Sequence, residues 1–76
     1  MNQTSALGII VRERREREKL LQHELASLSG LHKNFISKVE RGEIGVSVEA
    51  LEAIANALKC RPWQLLKAAD KLFSSQ

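Results

Sequence analysis

Few side chains in this sequence could carry covalent or metal chemistry. His23, His32 and Cys60 are the soft donors, but their spacing matches no ligand motif and a fourth donor is missing. No metal and no cofactor are therefore expected. Ser37 and His32 lie five apart and do not face each other on one helix, so they make a poor nucleophile–base pair. No Gly-rich segment cradles a phosphate. Enzymatic activity is accordingly not expected. What remains are groups that bind rather than react. Lys and Arg number 12 against 9 Asp and Glu, a net charge of +3, with a sequence pI near 9.4. That excess suits a polyanionic partner without proving one.

The elements that must position these groups fit into a short chain. Its 76 residues hold one domain, which at this size buries a modest core and gains from oligomerisation. A single cysteine excludes an internal disulfide and fits a reducing cytoplasm. No apolar run approaches the roughly 20 residues of a membrane span, so no membrane partner is expected.

The hydrophobic spacing is helical almost throughout, and runs with strand-like alternation are absent. Five helices are expected. The first runs from Ala6 to Lys19, capped by Thr4 or Ser5, with Leu7, Ile10 and Val11 as its apolar stripe. Its second half alternates charge, Arg12 with Glu16 and Arg14 with Glu18, four apart. The second runs from Gln22 to Ser29, with Leu25, Ala26 and Leu28 inward, and stops at Gly30. The third covers Lys33 to Arg41, with Phe35, Ile36 and Val39 apolar, and stops at Gly42. Ser47 caps the fourth, Val48 to Lys59, whose inner face is Leu51, Ile54, Ala55 and Leu58. Pro62 opens the fifth at the position where a missing N–H is harmless; it carries Trp63, Leu65, Leu66, Ala69, Leu72 and, at its end, Phe73.

Two short helices joined by a tight glycine-containing turn have the geometry of a helix-turn-helix, here Gln22 to Arg41. Ala26, four residues after Gln22, is small enough for the third helix to cross closely. Gly30 sits in the turn. Ile36 and Val39 lie three apart on the inward face. Together these positions resemble the Cro/phage-repressor class of regulators, also called xenobiotic-response-element-like. Leu7-Gly8, Val11-Arg12, Arg15, Gln22 to Ala26, Gly30-Leu31, Ile36-Ser37, Val39 to Gly42, Ser47, Leu51, Ile54-Ala55, Ala57-Leu58 and Leu65-Leu66 carry the match, across residues 7–66. Within that class the stretch Gly30 to Gly42, followed by Val46-Ser47, looks most like the controller proteins of restriction–modification systems.

The resemblance implies an all-α, five-helix, lambda-repressor-like domain over 1–76 that binds double-stranded DNA. The third helix would enter the major groove, presenting Lys33, Asn34, Ser37 and Lys38. Lysine donates to guanine and asparagine pairs with adenine. Gln22 and Arg41 would meet the DNA backbone. Arg15 and Glu40 match positions that form an internal ion pair, which would make both scaffold rather than contact. The sequence departs from the class at Leu21, His32 and Arg61, where serine or threonine caps are usual, and at Lys19, where glycine usually ends the first helix.

Trp63, Leu66 and Phe73 have two readings. They complete the core of one chain, or they form a dimer interface on the fifth helix (62–72), as the class commonly does. A homodimer would set two reading helices about 34 Å apart on a near-palindromic operator. The function expected is sequence-specific transcriptional regulation, on its own promoter in the controller reading. An antitoxin or phage-type repressor is the rival within the class, and a protein-interaction module without DNA binding the rival outside it. No ligand domain is evident, so no small-molecule effector is expected.

Overall fold

In a computed structural model describing residues 2–75, five helices follow in order: α1 Gln3–Arg17, α2 Gln22–Ser29, α3 Lys33–Glu40, α4 Val48–Ala57 and α5 Pro62–Ser74. No strand occurs among the described residues. The all-α expectation holds, and the helix ends differ in informative ways. α1 starts three residues earlier than its hydroxyl caps suggested. Asn2 adopts extended backbone and its side-chain oxygen accepts from the Ser5 amide at 2.8 Å, which leaves Thr4 and Ser5 inside the helix.

Four helices exit in the same way. After each, one residue takes the left-handed conformation: Lys19 (φ 59°), Gly30 (71°), Gly42 (71°) and Lys59 (60°). The next amide then reaches back to a carbonyl of the last turn, Leu20 to Arg15, Leu31 to Ala26, Glu43 to Lys38 and Cys60 to Ala55, at 2.9–3.1 Å. The two lysine exits explain why α1 and α4 stop at Arg17 and Ala57 rather than at Lys19 and Lys59. α3 likewise ends at Glu40, with Arg41 as its capping residue.

The caps that the sequence lacks are replaced from within the helices. Leu21 and Arg61 offer no acceptor, but their own amides donate to Glu24 and Gln64 three residues on, each at 2.8 Å. His32 does cap: its Nδ1 accepts from the Asn34 amide at 3.0 Å, doing the work of the usual serine.

α1 packs along α5 and against α3, while α2 packs on α3 and α4, and α4 on α5. The core comprises Ala6, Leu7, Ile10 and Val11 of α1 with Leu25, Ala26, Ile36, Val39, Leu51, Ile54, Ala55, Leu58, Leu65 and Ala69. Leu28 is not part of it. It is 63% exposed, because Leu25 and Ala26 set the inward direction and, at about 100° per residue, Ser29 returns to it instead. Cys60 is half-buried against the core, and burial raises its thiol pKa, as suits an unreactive hydrophobe.

The crossing of α1 and α3 is unusually close at Gly8. A Cβ there would collide with the Val39 carbonyl oxygen and stand 3.0 Å from that of Glu40. Only glycine lets the two backbones meet at this point.

Candidate nucleic-acid interface

α3 has two edges with opposite fates. Ile36 and Val39 are buried in the core, and Glu40, at its end, is buried too. Lys33, Asn34 and Lys38 are exposed on the other side, and Ser37 is half-buried beside them. The inward edge fixes the helix, and the outward edge is left free to bind. The His32 cap and the Gly30 turn set where that edge begins.

The fixing is electrostatic as well as apolar. Arg15 donates to Glu40 through Nε at 2.7 Å and through Nη2 at 3.0 Å. Its third nitrogen, Nη1, donates to the Leu20 carbonyl at 2.7 Å, in the loop between α1 and α2. The hydrogen bond to Glu40 raises the Arg15 pKa above its ordinary value, outweighing the opposing effect of burial. Among the described residues no buried side-chain nitrogen or oxygen lacks a partner, and each nitrogen of the Arg15 guanidinium donates at least once.

Gln22 belongs to this cluster. Its Nε2 donates to Glu40 Oε1 at 3.0 Å, tying the start of α2 to the end of α3. The sequence reading placed Gln22 against the DNA backbone. In the free protein half of its amide donor capacity is already committed inward, leaving one N–H and the oxygen. No sequence signal distinguished this role, since the partner lies 18 residues away.

Arg41 is also engaged. Its Nε donates to Glu43 Oε2 at 2.6 Å and its Nη2 to Glu43 Oε1 at 3.3 Å, while Nη1 bonds the Ser37 hydroxyl. Both charged side chains are half exposed. The hydrogen bond from Arg41 lowers the Glu43 pKa below the usual carboxylate range, with Lys38 adding to the effect. Sequence reasoning passed over Glu43, which places a carboxylate among the cations of this face. Its only signal was an acid two residues beyond Arg41.

The predicted residues thus fall into three groups. Lys33, Asn34, Ser37, Lys38 and Arg41 share one surface, Arg15 and Glu40 lie behind it as a brace, and half-buried Gln22 is tied to that brace through Glu40. Trp63, Leu66 and Phe73 are elsewhere, exposed on α5. They do not complete the core of one chain, which is closed by Leu65 and Ala69 with Leu72 packed against it. Among the described residues no three His, Cys, Asp or Glu side chains cluster as a metal site would require. No helix of the described residues is long and apolar enough to cross a membrane.

A buried brace behind a short, exposed, basic helix is the layout of a helix-turn-helix DNA-binding regulator. Residues 11–62 match the helix-turn-helix family model, of the Cro/C1 type, and the chain belongs to that family. It is 41% identical over 56 residues to the control protein C.SmaI of Serratia marcescens, a stretch spanning 74% of this chain and 67% of that protein. The crystal structure of the restriction–modification controller protein C.AhdI from Aeromonas hydrophila superposes with a TM-score of 0.80 at 37% identity, covering 82% of this chain and 94% of that one. The clp gene regulator ClgR from Corynebacterium glutamicum superposes with a TM-score of 0.94 at 29% identity, covering 100% and 81% respectively. The chain is a DNA-binding regulator that resembles restriction–modification controller proteins.

Proposed function

We propose that this protein reads operator DNA through Lys33, Asn34, Ser37 and Lys38, with Arg41 and Gln22 on the phosphates, and that it controls its own promoter beside restriction–modification genes. The observation that carries this reading is the exposed edge of α3, where Lys33, Asn34 and Lys38 stand free while the opposite edge is held by Ile36, Val39 and Glu40. Lysine and asparagine are donors suited to guanine and adenine edges. The controller assignment is supported by the names of the relatives, C.SmaI and C.AhdI. The reading includes no catalytic step, and its place of action is where the DNA is, in the cytoplasm.

The unit of binding in this reading is a homodimer built on α5. Leu66 and Phe73 are seven residues apart and so share one side of the helix, at 49% and 36% exposure. Trp63, 56% exposed, stands one turn before Leu66 at the margin of that side. Apolar side chains of this size on so small a surface favour association.

The test is a binding titration on the protein's own upstream DNA and on a scrambled duplex, repeated across salt. Tight binding to the first alone is expected, with log K falling against log salt by about 0.9 per phosphate contact. Equal affinity for both duplexes, or affinity indifferent to salt, would overturn the proposal. Sedimentation should show a dimer that Leu66→Glu dissociates.

A further inference from the structure

α1 and α5 run antiparallel: Gln3 reaches Asp70 at one end, and Arg14 lies beside Trp63 and Gln64 at the other. At that second end the two helices leave a shallow groove of about 300 Å3, lined by Arg14, Trp63, Gln64, Lys67, Ala68 and Lys71. Three of the six lining side chains are cations and none is an acid. The ion pairs among the described residues join Arg12 to Glu16, Arg15 to Glu40, Arg41 to Glu43 and Lys59 to Glu18. None of them uses Arg14, Lys67 or Lys71. The Lys67 ammonium stands 6.0 Å from the centre of the Trp63 ring, over an indole that is more than half exposed.

This concentration of cations is not part of the DNA-reading surface. α3 packs on α1 and α2, whereas α5 packs on α1 and α4, and no residue of α3 lines the groove. It meets the proposed dimer side only at Trp63, on the margin of that side. Lys67 and Lys71 lie about 100° and about 160° around α5 from Leu66 and Phe73 respectively. The cations of the groove therefore face away from a partner seated on Leu66 and Phe73.

We propose that this groove is a docking site for an acidic, extended segment of another protein, one that carries Asp or Glu at alternate positions. The chemistry of the groove selects that occupant. Arg14, Lys67 and Lys71 supply charge that carboxylates complement, and the exposed Trp63 indole lines the same groove. Lys67 and Lys71, one turn apart, are separated along the helix by about 6 Å. Alternate residues of an extended chain are separated by about 6.6 Å, so a Glu-x-Glu step meets both ammonium groups in register. A single small anion is a poorer match. The three cations are spread along two helices rather than gathered on one point, and the lysines that would hold it are exposed.

The protein carries its own reporter, because Trp63 is its one tryptophan. The intact chain, without DNA, is titrated with a ten-residue peptide alternating Glu and Leu, with the same peptide bearing Lys for Glu, and with inorganic tripolyphosphate. The acidic peptide is expected to change the Trp63 emission saturably. The Lys peptide should have no effect, and the Lys67→Gln/Lys71→Gln double variant should bind the acidic peptide at least tenfold more weakly. Circular dichroism checks that this surface variant folds, and its affinity for upstream DNA should change less than twofold. No saturable response to the acidic peptide, or an equal response to the Lys peptide, would overturn the inference. Equally tight binding of tripolyphosphate would make the groove a small-anion site instead. A change in sedimentation of the double variant would make it a contact between copies of this chain. Since the titration needs no DNA, its failure leaves the operator reading standing, and the converse also holds.

Discussion

The Arg15 guanidinium holds both oxygens of Glu40, at 2.7 and 3.0 Å, and so fastens α1 to the last residue of α3. The side chains are 10% and 3% exposed. Removing one partner leaves a buried charge unmatched, which typically costs about 3–5 kcal/mol. Glu40→Ala should therefore lower the melting temperature by more than about 10 °C in a domain of this size. A melt unchanged from wild type would show that the pair does not brace the fold. The double variant Arg15→Met/Glu40→Leu, which strands no charge, should melt above either single variant.

Gly8 offers a steric test of the same crossing. An alanine methyl there meets the Val39 carbonyl, which is backbone and cannot swing aside. Gly8→Ala should destabilise by about 1–3 kcal/mol, as overpacking does, despite alanine being the better helix former. The measurement is chemical denaturation followed by circular dichroism, and a stabilised variant would contradict the close crossing.

The left-handed exits predict an effect of opposite sign. Lys19 and Lys59 are exposed residues held at φ near +60°, a conformation that costs an L-residue about 1–2 kcal/mol. Glycine removes that cost, at the expense of some extra freedom in the unfolded chain. Lys19→Gly and Lys59→Gly should each raise the melting temperature by a few degrees. The same substitution at Lys38, inside α3, should lower it by about the helix penalty of glycine.

On the proposed reading surface, Lys33→Ala and Lys38→Ala should each weaken operator binding, and either residue, where it touches phosphate, should lower the salt slope by about 1 on substitution. Glu43→Gln should do the reverse. It frees Arg41 from its carboxylate and removes a charge that phosphate repels, so affinity for any duplex should rise. Acid acts in the same direction. The Glu43 carboxyl is held below its usual pKa by Arg41, so the latch persists to lower pH than an isolated carboxylate would allow and opens as pH falls through that depressed value. A Glu43→Gln protein that binds mixed-sequence DNA no better than wild type would show the latch to be inert.

Much of this was legible in the residues because it depends on local rules. The five helices followed from apolar spacing, and Gly30 and Gly42 marked their exits by type. Other features depend on what packs against what, and these were not visible. Leu28 fits an apolar stripe as well as Leu25 does, and only the direction of α2 relative to α3 turns it outward. Asn2 and Ser5 compete for one cap by geometry, not by preference. Lys19 and Lys59 exit left-handed although nothing in lysine favours it, because Leu20 and Cys60 pack on the core beyond them. At the candidate site, the resemblance to known regulators gave the outward set and the Arg15–Glu40 pair. The commitments of Gln22 and Arg41 needed coordinates, since a long polar side chain chooses its partner in three dimensions.

The seat of Gly8 against Val39 has one more consequence. It sets the backbone of α3 directly against that of α1, and α1 is in turn packed along α5. In the proposed dimer the two reading helices would then form a calliper with a fixed opening. Each base pair added between operator halves turns one half relative to the other by roughly 35°, and a rigid calliper cannot follow. Such a protein would choose its targets by the distance between two short words as strictly as by their spelling.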